Sequence, residues 1–244
     1  EVPKVKKALD KITRTAGDDM SEWLEGFYTQ YRPYVREKFA PVMEKYARTI
    51  SAEASRIIGK PIGMVPELEQ FTVEYLEKYA FRYCHAGKRQ LQNLIIADAL
   101  DPDAFKAAIT ERLDEWLEKR SDKIKADETV RMSNAVARET WREHGVTKLR
   151  WVAIGKSCPF CNYLDGKIVG IEKNFLNAGD VIYINDKLPG KSHVYNPLDP
   201  DSEKPGVDYD DPLTTESKWQ ALKARSNKAH PPIHRSCDCK VMPE

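Results

Sequence analysis

The sequence predicts an α+β protein, with an N-terminal helical array over residues 1–120 and a small mixed α/β module, stapled by zinc, over residues 121–244. Three observations carry that prediction. Apolar residues recur at three-and-four spacing through the first half, the signature of helices with one buried face. Beyond Gly145 the pattern turns strand-like. Two groups of soft metal donors, Cys158-Pro-Phe-Cys161 and His234-Arg-Ser-Cys237-Asp-Cys239, stand in this second half with a long polar stretch between them.

A chain of 244 residues and 28.0 kDa can bury a core without disulfide staples. With 32% charged residues and a formal charge of +1, its bulk electrostatics does not mark a nucleic-acid binder, so any polyanion contact has to be local. No apolar run approaches the roughly 20 residues that span a bilayer, and no signal segment opens the chain. A soluble protein made in the cytoplasm, with no membrane partner, is the expectation. Its start at Glu1 fits a processed product or a piece of something longer.

In the helical half, Val2, Val5, Leu9 and Ile12 share one face, as do Trp23, Phe27 and Tyr31. Proline lacks a backbone donor and clashes with the preceding turn, so helices are expected to end or kink near Pro33, Pro41, Pro61 and Pro66. A helix restarts with Asp101 as N-cap and Pro102 in its first position. Ser121 or Asp122 is expected to cap a further helix that Gly145 ends in the left-handed conformation. Lys148–Ile154 then reads as a strand, Asp165-Gly166 as a turn into a second strand, and Asp180–Ile184 as a third. Asn196–Thr215 is rich in proline and acids and reads as a solvated loop, and Thr215–Arg225 as a short helix.

The cysteines carry the clearest chemistry. Two thiolates two residues apart supply half a tetrahedral site, and His234, Cys237 and Cys239 offer three donors for the remaining two places. Cys158, Cys161 and Cys239 are the preferred ligands, completed by either His234 or Cys237. Free thiols or a disulfide pair are the alternatives, and the odd number of cysteines together with a reducing compartment favours metal. A structural zinc contributes on the order of 10 kcal/mol of folding free energy, far more than the few apolar residues of the tail can bury. A thioredoxin-like role for the Cys158–Cys161 motif requires it to open a helix inside a βαβ unit, and no such unit is evident.

Other groups carry weaker signals. Cys84 and His85 are adjacent on a helix, point in different directions, and read as packing and surface residues. The aromatic group Trp23, Phe27, Tyr28, Tyr31 and Tyr34 reads as core. Lys218, Lys223, Arg225 and Lys228, with Arg235 and Lys240 beyond them, are candidates for non-specific phosphate contacts or, equally, for pairing with the acidic loop before them. His193 with Asn196 is the sole hint of a metal-dependent nuclease. No paired carboxylates, phosphate-cradling loop or serine nucleophile elbow is present, so the reading is non-enzymatic.

The order and spacing of Asn134, Ala135, Gly145, Val146, Trp151, Cys158, Cys161, Leu164, Asp165, Gly166, Pro231, Pro232, His234, Cys237 and Cys239 resemble the phage head morphogenesis family, the Mu F-like minor head proteins. The resemblance covers roughly Ser121 onward. It implies a head morphogenesis domain over 121–244, and a virion component in few copies inside the capsid near the portal. The portal protein or other capsid proteins are then its partners, with residues 1–120 docking there, and packaged DNA is a further contact. Where family members often carry Arg-Thr-Glu-Thr this chain has Ala126, Asp127, Glu128 and Thr129, and Asp238 stands where an arginine is frequent. Neither departure touches the sulfur and imidazole donors. A DNA-acting module, either a metal-dependent nuclease or an ejected DNA-binding protein, is the alternative.

Overall fold

The structure is a computed structural model that describes residues 3–7, 17–60, 65–97, 102–154, 159–184, 192–195, 221–224, 226–233 and 237–244. These residues are mostly helical, with two small antiparallel sheets.

Helix α1 runs over Gly17–Ile57 and contains both Pro33 and Pro41, so of the two expected outcomes, an end or a kink, no helix end falls at either proline. The reason lies in which face they occupy. Thr29, Pro33, Glu37 and Pro41 follow one another at i+4 on the solvent side, so the carbonyls of Thr29 and Glu37, which lose their amide partners, are free to take water instead. The buried stripe lies opposite, through Leu24, Tyr28, Tyr31 and Val35 and on to Met43, Ala47, Ser51 and Ala54. Helix α2, Pro66–Ala97, opens on Pro66, near which a helix is expected to end or kink, at the position where a missing amide costs nothing; Pro61 lies outside the described residues.

Helix α3, Pro102–Glu115, passes through a π-helical turn at Trp116–Arg120 into helix α4, Ser121–Glu143. Ser121 has helical dihedrals, so the expected cap at Ser121 or Asp122 is not formed. Within the π turn the Arg120 guanidinium lies 4.1 Å from the Trp116 ring and 4.4 Å from the Tyr83 ring. It also donates to the Tyr83 carbonyl. Stacking of this kind holds the wider turn together where a backbone cap is absent. Helix α4 ends as expected at Gly145, whose φ is +80°; the amides of Gly145 and Val146 bond back to the carbonyls of Arg142 and Trp141.

Strand β1, Lys148–Val152, is central to the first sheet. After it come the short helix α5, Pro159–Leu164, and strand β2, Ile168–Gly170; β3 (Val181–Ile184), β4 (Ser192–Tyr195), β5 (Ala221–Lys223) and β6 (Lys240–Pro243) complete the set. The first sheet has the order β2-β1-β6 and the second β4-β3-β5, with all pairings antiparallel. The helix expected over Thr215–Arg225 is corrected at Ala221–Lys223, which pairs with β3 instead. A neighbouring strand with unpaired amides outcompetes local helix propensity over three residues.

The chain forms two compact units, one of Glu1–Tyr46 with Glu69–Lys125 and one of Ala47–Leu68 with Ala126–Glu244. The second unit has a continuous core around Trp141, Trp151, Phe160, Leu164, Phe175 and Ile182. Trp141 donates its indole proton to the Ala54 carbonyl at 2.9 Å, tying the end of α1 into this core.

Candidate metal centre

Helix α5 sits just beyond β1, and the turn after it returns the chain to that strand. Gly166 adopts a φ of +74° and its amide bonds to the Trp151 carbonyl, while Asp165 accepts the Ala153 amide at 2.8 Å. The loop is thereby closed at both ends, and Cys161, on α5, is held in the core with 1% of its surface exposed. From the other direction, β6 pairs with β1 through Trp151↔Val241 and Val152↔Lys240. The residues leading into it alternate, with Cys237, Cys239 and Val241 buried and Asp238 and Lys240 exposed. This two-residue period points both tail sulfurs to one face.

The result is a cluster of three buried thiols, Cys161, Cys237 and Cys239, whose sulfurs all lie within 4.8 Å of one another. The Sγ atoms of Cys161 and Cys237 are 3.6 Å apart. Zinc–sulfur bonds of about 2.3 Å at tetrahedral angles put sulfurs roughly 3.8 Å apart, so a cluster with one pair at 3.6 Å and all three sulfurs within 4.8 Å is compatible in size with such an ion. Among the described residues no other group of three or more potential ligands gathers. A hydrogen bond with Cys161 pulls the Cys237 thiol toward ionisation, but the bond with Cys239 and burial outweigh it and push its pKa up to about 12. Without a cation Cys237 is therefore a neutral thiol; a bound divalent ion favours the thiolate instead.

Of the predicted donors, Cys161, Cys237 and Cys239 come together, while Cys158 and His234 lie outside the described residues. Cys237, the less favoured of the tail cysteines, is a full member. The Cys158–Cys161 motif does lead into a helix, α5, but its surroundings are antiparallel strands and not a βαβ unit.

His193 lies on β4 and not in a loop; its side chain and Asn196 are outside the described residues. Lys218, Arg225 and Arg235 and the side chain of Lys223 are likewise outside them, whereas Lys228 is half-buried and pairs through its backbone with Leu176. Cys84 is buried and His85 is exposed, stacked on Phe81. Trp23, Phe27, Tyr31 and Tyr34 form a stacked ladder along α1, with Tyr28 and Tyr31 in the core and Tyr34 45% exposed.

The roles of two groups were not visible in the sequence. His230 donates from Nδ1 to the Pro231 carbonyl at 2.6 Å. Part of the residue still reaches solvent, yet burial of the ring, together with Arg138, Arg131 and Lys228, outweighs that bond and lowers its pKa to about 4. Asn134 is buried on α4 and bonds to both sides of Cys239's neighbourhood. Its place in the family-like motif was its one signal.

No helix among the described residues is long and apolar enough to cross a membrane. The chain matches no family model, no curated protein and no solved structure.

Proposed function

We propose that this chain is a minor head protein of a tailed phage or prophage. In this reading it acts non-enzymatically in head morphogenesis near the portal, and its C-terminal module is held in shape by a structural zinc ion. The observation that carries the reading is the meeting of Cys161 with Cys237 and Cys239, because it joins the two separated motifs on which the family resemblance rests. Those motifs lie far apart in sequence, and a shared ion gives a physical reason for both to be present in one chain. The helical first half supplies the docking surface for portal or capsid partners, and the zinc module serves as a rigid end-piece.

The ion is held by Cys161, Cys237 and Cys239 with a fourth donor from Cys158 or His234. Its chemistry is that of a crosslink with no reactive position. The purified chain is expected to carry about one zinc, and chelation to lower its melting temperature sharply; metal-free protein with fully reduced thiols and an unchanged melting temperature refutes the metal centre. Purified heads are expected to contain the chain in low copy number. Copurification with host complexes and never with heads refutes the morphogenesis role. Plasmid cleavage with magnesium or manganese, abolished by His193→Ala, would replace this reading with a nuclease.

A further inference from the structure

Helix α4 hydrogen-bonds to the tail through the Asn134 side chain. Asn134, 4% exposed, donates from Nδ2 to the Cys239 carbonyl at 3.1 Å and to the Val130 carbonyl at 2.8 Å, and its Oδ1 accepts the Val241 amide at 2.8 Å. Three of the four bonds a carboxamide can make are used, and the set admits one orientation of the group: flipping it would face Nδ2 with an N–H and Oδ1 with two carbonyls.

The pattern has a specific meaning for the strand. Strand β6 is at the edge of its sheet, with β1 on one side. A parallel neighbour would offer the N–H and C=O of one residue to the carbonyl of residue 239 and the amide of residue 241, on either side of Lys240. The Asn134 carboxamide makes both of those bonds and so stands in for a missing strand. It satisfies two buried backbone groups that cost roughly 1–3 kcal/mol each when left unpaired, and it blocks the edge against a foreign strand. The backbone of Cys239 is thus clamped on one side by α4, while the ladder to β1 begins one residue later at Lys240.

We infer that Asn134 is a positioning residue for the metal centre: it sets the register and direction from which Cys239 presents its sulfur to Cys161 and Cys237. The inference rests on the metal reading above. Partners of this kind, which orient a ligand without touching the ion, typically alter metal affinity 10- to 100-fold when removed.

The test is cobalt and zinc binding by the full chain, wild type against Asn134→Leu and Asn134→Asp. The leucine is similar in size and makes neither bond; the aspartate keeps an acceptor for Val241 and loses the donor to Cys239. Both variants are expected to release zinc to a competing chelator 10- to 100-fold more readily and to show a shifted cobalt visible spectrum. Trp141→Phe, which breaks the equally buried bond to Ala54, is the control, since it should lower the melting temperature of metal-free and zinc-loaded protein alike without changing the cobalt spectrum. Asn134 variants that match wild type in affinity and spectrum overturn the inference, as do variants that merely reproduce the control. Wild type that takes up no cobalt overturns the metal centre and the inference together. Should both variants fail to fold, the wild-type Asn134 side-chain amide decides: slow hydrogen exchange that slows further with zinc supports the role, and free exchange in both forms overturns it.

Discussion

His230 is neutral in the folded chain well below the pH at which a free histidine gains its proton, because burial and three nearby cations oppose the charge. Its folded pKa is depressed, so the stability it contributes is present above about 6.5 and is lost as pH falls toward about 4, while the unfolded chain takes up a proton the folded chain refuses. Urea unfolding at a series of pH values should therefore show an acid-side decline between those limits, and His230→Gln should flatten it. Glu139 is also buried, and burial raises its pKa even though Arg142 opposes that shift. For the cysteines, Cys237→Ser and Cys161→Ser should each abolish most zinc binding, read by metal content after gel filtration. Residue types and their spacing made these three thiols legible as ligands from the start. His230 was not legible, because a lone histidine has no period or motif to announce what surrounds it, and Asn134 was legible as a motif residue but not as the partner of the tail backbone.

Among the elements, the long helices follow from the three-and-four pattern and their termini from Pro66, Pro102 and Gly145. Neither internal proline ends its helix, because the face a proline occupies, which local sequence does not reveal, decides whether its lost bond can be replaced. Both lie on the exposed side of α1, where a lost hydrogen bond is replaced by water. Pro33→Ala should accordingly restore a helical bond and remove the steric clash, raising stability by up to about 3 kcal/mol in a denaturant titration. The absent cap at Ser121 has a similar cause. A helix stops at Ser or Asp when nothing further upstream sustains it, and here the stacking of Arg120 on Trp116 and Tyr83 carries the chain through. Strands of three or four residues such as β5 and β6 leave little alternation to read, and each exists because β3 or β1 offers an unpaired edge.

At the scale of the whole molecule, the second unit draws on Ala47–Leu68 as well as the C-terminal half, so its core needs a helical segment from far upstream. Truncation to residues 121–244 would remove Ala54, the acceptor for Trp141, and should leave a module of lower melting temperature than the same unit in the full chain, even with zinc bound. What the sequence alone determined is the helical first half, the change of character after Gly145, and the cysteines worth attention, because each is written in local spacing. What only the tertiary structure decided is which distant groups meet: Cys161 with Cys237 and Cys239, Asn134 with the tail backbone, Trp141 with Ala54. Those meetings depend on strand register and on which face of a helix is covered, and neither is fixed until the chain has closed on itself.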